Sequence, residues 1–326
     1  MARQVKARSA PVEGAQVVHL RMLCPADLTD AALALVSDAP GACNVTLVRA
    51  AGVEPAGDLL MCDVAREAAS IVFGDLRALG IAERGAITIE RVDGHVSAGA
   101  EAAGRASPGS PGDAVVWEEV EAVTSESVAL TASFLLFMVI ATLIAAIGIF
   151  LDTPILIVGA MVVGPEFGPL AGLCVALVAG RGRLAARSLT ALAVGFPLAI
   201  GAAYLASVIF RATGLTPDVF TEADHSLSGI IASPDAFTVI VAFCAGVAGM
   251  LSLTSAKSSV LIGVLISVTT IPAAANVGVA AAYSDWPGFR GSFLQLAINL
   301  GVIVVAGSLT LGAQRWIYIR RRARAA

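Results

Sequence analysis

Six long apolar runs constrain this chain more than anything else in it. They lie at approximately 134–151, 155–180, 188–210, 236–253, 259–283 and 292–313. Each is close to the ~17–25 residues that a helix needs to cross a bilayer. Of the 326 residues, 57% are hydrophobic and 14% charged, with mean hydropathy +0.84, whereas soluble domains run near ~25% charged. A disordered chain is excluded, and an ordinary cytosolic enzyme fits poorly. The 32 glycines and the 6% aromatic content suit close helix–helix contact in lipid.

Charge divides the chain. Residues 1–128 hold 10 Lys/Arg against 18 Asp/Glu, a net of −8, and residues 129–326 hold 11 against 7, a net of +4. Nothing in this distribution makes a basic nucleic-acid face, so no nucleic-acid partner is expected. The connection 181–187 (RGRLAAR), Lys257 between the fourth and fifth runs, and the tail from Arg315 carry most of the positive charge beside the runs. The loops 152–154, 211–235 and 284–291 carry little. With six spans, the three basic regions share one side, and the positive-inside rule makes that side cytoplasmic. The expectation is a multi-pass protein of the plasma membrane with both termini in the cytoplasm. The N-terminus shows no apolar signal-peptide core.

The acidic part reads as one small domain, 1–95. Residues 16–23, 44–49, 58–64 and 86–92 are strand-like, 26–37 and 67–79 helix-like, and Gly80 is a helix stop. The order βαββαβ matches the ferredoxin-like unit, whose uncovered sheet face would pair with a second copy or bind a ligand. Residues 96–130 are expected to be a linker, rich in Gly, Ala, Ser and Pro over 94–114, followed by an acidic amphipathic helix over 115–128 with Trp117 as an interfacial anchor. Then come the six-span domain, 131–314, and a basic cytoplasmic tail, 315–326.

The spans look repeated. The stretch from Ile157 aligns without a gap on the stretch from Leu261, placing Gly159 on Gly263, Ala176 on Ala280 and Ser188 on Ser292, with Pro169 one residue from Pro272. The choice is between a true repeat and chance likeness among Gly/Ala/Val-rich helices. Three spans per half would invert the second half, the pattern of secondary transporters with broken helices. The clearest break is Gly164-Pro165-Glu166-Phe167-Gly168-Pro169. Each proline removes a backbone donor, and freed carbonyls in lipid need partners, water or an ion. Glu166 is the only acidic residue inside any run, and an ionisable group at that depth marks a pathway unless it serves structure. The matching segment is Thr269-Thr270-Ile271-Pro272, followed by Asn276, with Asn299 in the sixth run. These oxygen-rich groups would suit a polar cavity with Glu166, although amides and glycine rows such as Gly164, Gly168 and Gly172 also serve as helix packing. Lys257 stands at the cytoplasmic entrance, either to attract an anion or to set topology.

No P-loop, HExxH or GxSxG occurs, and no enzyme activity, catalytic residue or cofactor is expected. Cys24, Cys43, Cys62, Cys174 and Cys244 form no CxxC pair, and the histidines are scattered, so no metal site is expected. The cysteines read as small buried hydrophobes.

Three segments occur in order: ATLIAAIGIFLDTPILIVGAMVVGPEFGPLAG, SLTSAKSSVLIGVLISVTTIPAAANVGVA and QLAINLGVIVVAG. Over roughly 130–313 the chain thereby resembles the bacterial integral-membrane family catalogued as domain of unknown function 389. The resemblance implies a hydrophobic membrane protein of undetermined activity and a variable front domain. Many members have A-P-L-M-x-P where this chain has Glu166 and Phe167, and two adjacent prolines where it has Ile271-Pro272. The expected function is a transporter or channel for a small solute or ion, embedded in the bilayer as a homo-oligomer, most simply a dimer. The alternative is a membrane-anchored sensor or assembly protein whose cytoplasmic domain binds a ligand.

Overall fold

The computed structural model describes residues 16–92, 97–107, 115–220, 226–254 and 269–325. The chain divides into two units between Glu119 and Val120.

Alternation shapes the first unit. In β1 (Val17–Cys24), Val18, Leu20, Met22 and Cys24 are fully buried, while Arg21 between them is exposed. β1 pairs antiparallel with both β3 (Ala56–Ala65) and β4 (Ala86–Arg91), and β2 (Ala42–Val53) pairs antiparallel with β3. The strand order is β2-β3-β1-β4. Leu60, Cys62 and Val64 of β3 join the buried side chains of β1 in one core with α1 (Thr29–Asp38) and α2 (Arg66–Ala78), which contribute Ala32, Val36, Val72 and Leu76. The expected strands and helices are all present, within a few residues of their expected ends. Gly80 takes φ +81° after α2 and leads into the short α3 (Ile81–Arg84).

The linker expectation needs correcting. Residues 98–106 form a helix, α4 (Ala98–Ala106), capped where the Ser97 hydroxyl accepts from the Ala100 N–H at 3.3 Å. Ala100 and Ala103 are buried, and Glu101 and Arg105 stand as an i,i+4 pair. An alanine-rich stretch with a serine cap is a good helix when a surface accepts its small side chains. α5 (Trp117–Ser127) follows. Its first N–H donates to Ser70 Oγ at 3.1 Å, and Ser70 donates to Glu118 at 2.8 Å. Trp117 is thereby tied through its backbone to α2.

Among the described residues the second unit is built of helices: α6 (Ala132–Phe150), α7 (Pro154–Val163), α8 (Phe167–Ala179), α9 (Gly182–Ala212), α10 (Ser226–Ala232), α11 (Ala236–Thr254), α12 (Thr270–Ala282) and α13 (Trp286–Ala325). Among the described residues four helices, α6, α9, α11 and α13, are long and apolar enough to cross a membrane, and α7 with α8 makes a fifth candidate span bent by 51°. Of the fifth apolar run, 259–283, only the part from Thr269 is described. These helices are apolar all round: Phe134, Met138 and Ala145 face inward on α6, while Leu136, Phe137 and Ile140 face outward. Such a helix belongs in a large core or a membrane. The basic tail is not a separate segment. It continues α13, with Arg320 stacked 3.7 Å from the Trp316 ring centroid. Cys24, Cys62 and Cys174 are buried as expected, but Cys244 is exposed.

Small residues let the helices touch. A Cβ added to Gly278 would lie 2.7 Å from Ile200 O and 2.8 Å from Tyr204 N, so α12 meets the backbone of α9. Helix boundaries also recur at one spacing. α6 and α11 are both 19 residues long and start at Ala132 and Ala236, and α9 and α13 start at Gly182 and Trp286; both offsets are 104. The caps follow the same spacing: Thr131 Oγ1 accepts from the Phe134 N–H and Asp235 Oδ1 from the Thr238 N–H. Gly307 packs on Cys174 and Gly278 on Ala203, two contacts that exchange when each residue is moved by that offset.

Candidate functional site

The break between α7 and α8 follows from its two prolines. Pro165 has no N–H to continue α7 and disfavours helical backbone at Gly164, which takes φ −63°, ψ +128°. Glu166 then caps the start of α8 with φ −67°, ψ −20°. Pro169 stands third in α8, where a missing N–H costs nothing. Pro272 holds the same third position in α12, after Thr270 and Ile271.

The α7–α8 break meets the start of α12. Thr270 Oγ1 donates to Glu166 Oε1 at 2.7 Å, joining the first turns of α8 and α12. Glu166 is 3% exposed and Thr270 fully buried. Among the described residues of the second unit, Glu166 is the only buried ionisable side chain other than cysteine, and its Oε2 has no hydrogen-bond partner. Any side chain at 164 would collide with that oxygen and stand 2.7 Å from Ile271 Cγ1, so Gly164 gives the carboxyl its room. Helix N-termini carry partial positive charge and exposed donors, which favours an acidic group here over one in mid-helix.

Beside the carboxyl lies a set of neutral polar groups. Thr269 Oγ1 accepts from Asn299 Nδ2 at 2.8 Å and from Gln295 Nε2 at 3.3 Å. Asn299 and Gln295 are one turn apart on α13 and nearly fully buried. Glu166, Thr269, Thr270 and Asn299, singled out from the sequence, are thus brought together. Asn276 belongs elsewhere: it donates to Ser292 Oγ at 2.8 Å and accepts from Ser228 Oγ at 2.9 Å, tying α10, α12 and α13. Gly168 serves packing, since a Cβ added to it would lie 3.0 Å from both Cβ and O of Ser127. Lys257 lies outside the described residues. Gln295 escapes a reading of the sequence, although it stands four residues before Asn299, the spacing that places two side chains on one helix face.

A carboxyl with one oxygen held and one open can take a proton or help to bind a cation. Among the described residues, no group of three or more His, Cys, Asp and Glu is placed to hold a metal ion.

Residues 161–305 match the family described as "Domain of unknown function (DUF389)", and the matched stretch takes in Glu166, Thr269, Thr270, Gln295 and Asn299. An uncharacterized protein of Methanocaldococcus jannaschii is 26% identical over 208 residues, covering 62% of this chain and 62% of that protein. The chain therefore spans a little under two thirds of the length of this curated relative. No solved structure matches the chain.

Proposed function

We propose that this membrane protein, whose residues 161–305 match the family described as domain of unknown function 389, moves a small solute or ion through the meeting point of the α7–α8 break and the start of α12, with Glu166 exchanging a proton or cation. The observation that carries the reading is the buried carboxyl of Glu166, with one oxygen bonded to Thr270 and the other without a partner among the described residues. A permanent charge is costly at that depth unless paired or hydrated, so a group of this kind is retained where something reaches it.

Six spans in two inverted three-helix repeats make the scaffold. The 104-residue recurrence of helix starts, caps and packing contacts supports this reading. The bond between Glu166 and Thr270 has the same separation, 104, so the two equivalent residues would meet on a pseudo-two-fold axis, where interfaces are self-complementary. The basic stretches at 181–187 and 315–324 support a plasma-membrane topology with both termini cytoplasmic. The strand order β2-β3-β1-β4 supports a ferredoxin-like front domain, whose second sheet face, with Leu23, Leu59 and Ala86, suits pairing into a homodimer.

The test is flux in proteoliposomes, with fluorescent reporters of protons, sodium, potassium and small organic acids. The proposal expects at least one of these to cross faster than in protein-free vesicles. Equal leakage for the whole panel would reject it.

A further inference from the structure

The polar groups beyond Glu166 run in one direction. From Thr269, bonded to Asn299 and Gln295, the track continues where Thr238 Oγ1 donates to Gln295 Oε1 at 3.4 Å. Thr238 also bonds Asp235 Oδ1 through its N–H at 2.9 Å, and its single hydroxyl proton serves either Gln295 Oε1 or Asp235 Oδ1, the latter 3.1 Å away. Asp235 is exposed at the start of α11. Gln295, 5% exposed, holds both ends of its amide: Nε2 toward the buried Thr269 and Oε1 toward Thr238. A buried amide costs free energy unless its groups are paired, and here the pairing bridges the deep and shallow parts of the track.

In the first half only the exposed end of the track is polar, with Thr131 at the place of Asp235. At positions 104 residues earlier, Thr238, Gln295, Asn299 and Thr269 become Phe134, Ala191, Gly195 and Pro165. None of these side chains carries a polar atom. Phe134 and Ala191 are buried, and the Phe134 ring fills the space over Gly195, its Cε1 lying 3.0 Å from where a Cβ would stand. A scaffold with repeated backbone thus has a polar route on one side of Glu166 and an apolar seal on the other.

Resting on the transport reading and its inverted repeat, we infer that Glu166 communicates with one membrane face only, the face that carries Asp235, along Thr269, Asn299 and Thr238, with Gln295 as the gate. Phe134 on Gly195 closes the opposite route.

The test is thiol accessibility in the full chain, with the five native cysteines replaced, reconstituted in vesicles and probed with a membrane-impermeant methanethiosulfonate. Asp235→Cys defines the face, and lipid-facing Leu294→Cys sets the unreactive background. Asn299→Cys should react from the Asp235 face, and roughly tenfold faster once Gln295→Ala removes the two hydrogen bonds that hold the gate. Gly195→Cys should stay at background until Phe134→Ala opens it from the other face. Elution at the wild-type size certifies that each variant is folded, and the two cysteine positions are independent should one of them fail that check. Asn299→Cys reacting from the face opposite Asp235, or no faster without Gln295, would overturn the inference. Labelling does not depend on flux. Vesicles that pass no ion yet label as described would reject transport and keep the one-sided route; vesicles that pass an ion without this labelling would reject the route alone.

Discussion

Thr270→Val tests whether the α7–α8 break and the start of α12 are joined as described. The change replaces the hydroxyl by a methyl at nearly constant volume in a side chain with no exposure. It deletes the donor 2.7 Å from Glu166 Oε1. Among the described residues the carboxyl would then have no partner for either side-chain oxygen, since Oε2 already lacks one. Orphaning a buried acceptor costs ~1–3 kcal/mol. Polar pairs between membrane helices average only ~0.6 kcal/mol, because the unfolded reference also finds partners. Glu166 is only 3% exposed, so water cannot readily replace the lost donor, which places Thr270→Val at or above ~1 kcal/mol. Thr270→Ser keeps the hydroxyl and should lose less. A double-mutant cycle with Glu166→Leu isolates the pair: removing both partners should cost clearly less than the two single changes added. Reversible unfolding in mixed micelles, followed by circular dichroism, reads all four proteins. A Thr270→Val loss under ~0.3 kcal/mol, or a cycle that is additive within ~0.5 kcal/mol, would refute the contact.

Three further outcomes are expected. Gly278→Val should destabilise the helix bundle by ~1–3 kcal/mol, because the new side chain meets the backbone of Ile200 and Tyr204 and not a movable side chain; Gly301→Val, with open space around it, should be near neutral in the same thermal melt. In the front domain, the Ala50 N–H at 2.8 Å, with Arg49 at 3.1 Å, holds the Asp58 carboxyl below the usual carboxylate range. A depressed folded value contributes stability that is present above the unfolded pKa of ~3.9 and is lost as pH falls through the lower folded value. Asp58→Asn should therefore speed hydrogen exchange in β2 and β3 at neutral pH, and the difference from wild type should shrink in acid; a constant difference across pH would contradict this. Ser226→Cys, in a background without native cysteines, should react with an impermeant thiol reagent on intact cells; reaction only after permeabilisation would overturn the proposed topology.

Legibility follows the range of the interactions. Period-two alternation in VVHLRMLC and the helical period through Val72 and Leu76 are local, and both elements stand where the pattern places them. The α7–α8 break and the start of α12 are legible because proline acts on its immediate neighbours, so Gly164–Pro169 and Thr269–Pro272 announce themselves. Their meeting is suggested only by the repeat, since the bond between Glu166 and Thr270 spans 104 residues and leaves no local trace. α4 reads as linker because alanine with glycine and serine suits both a linker and a helix, and the surface that decides between them is supplied by β2 and β3. Asn276 and Asn299 look alike in sequence. Only packing shows that one ties helices through Ser228 and Ser292 while the other joins Thr269. Gln295 stands near the start of an apolar run, where a polar residue reads as the edge of a span.

In the proposed transport function the Glu166 carboxyl couples movement through the membrane to a proton or cation. Glu166→Gln keeps the size and the acceptor for Thr270 and removes the titratable group. Flux of the responsive solute should be measured in proteoliposomes across a series of pH values, with wild type and variant matched for protein content and oligomer size. Wild type should show a pH-dependent flux and Glu166→Gln a flat or abolished one, with unfolding unchanged. A variant that transports at the wild-type rate with the wild-type pH profile would contradict it and leave Glu166 a structural residue.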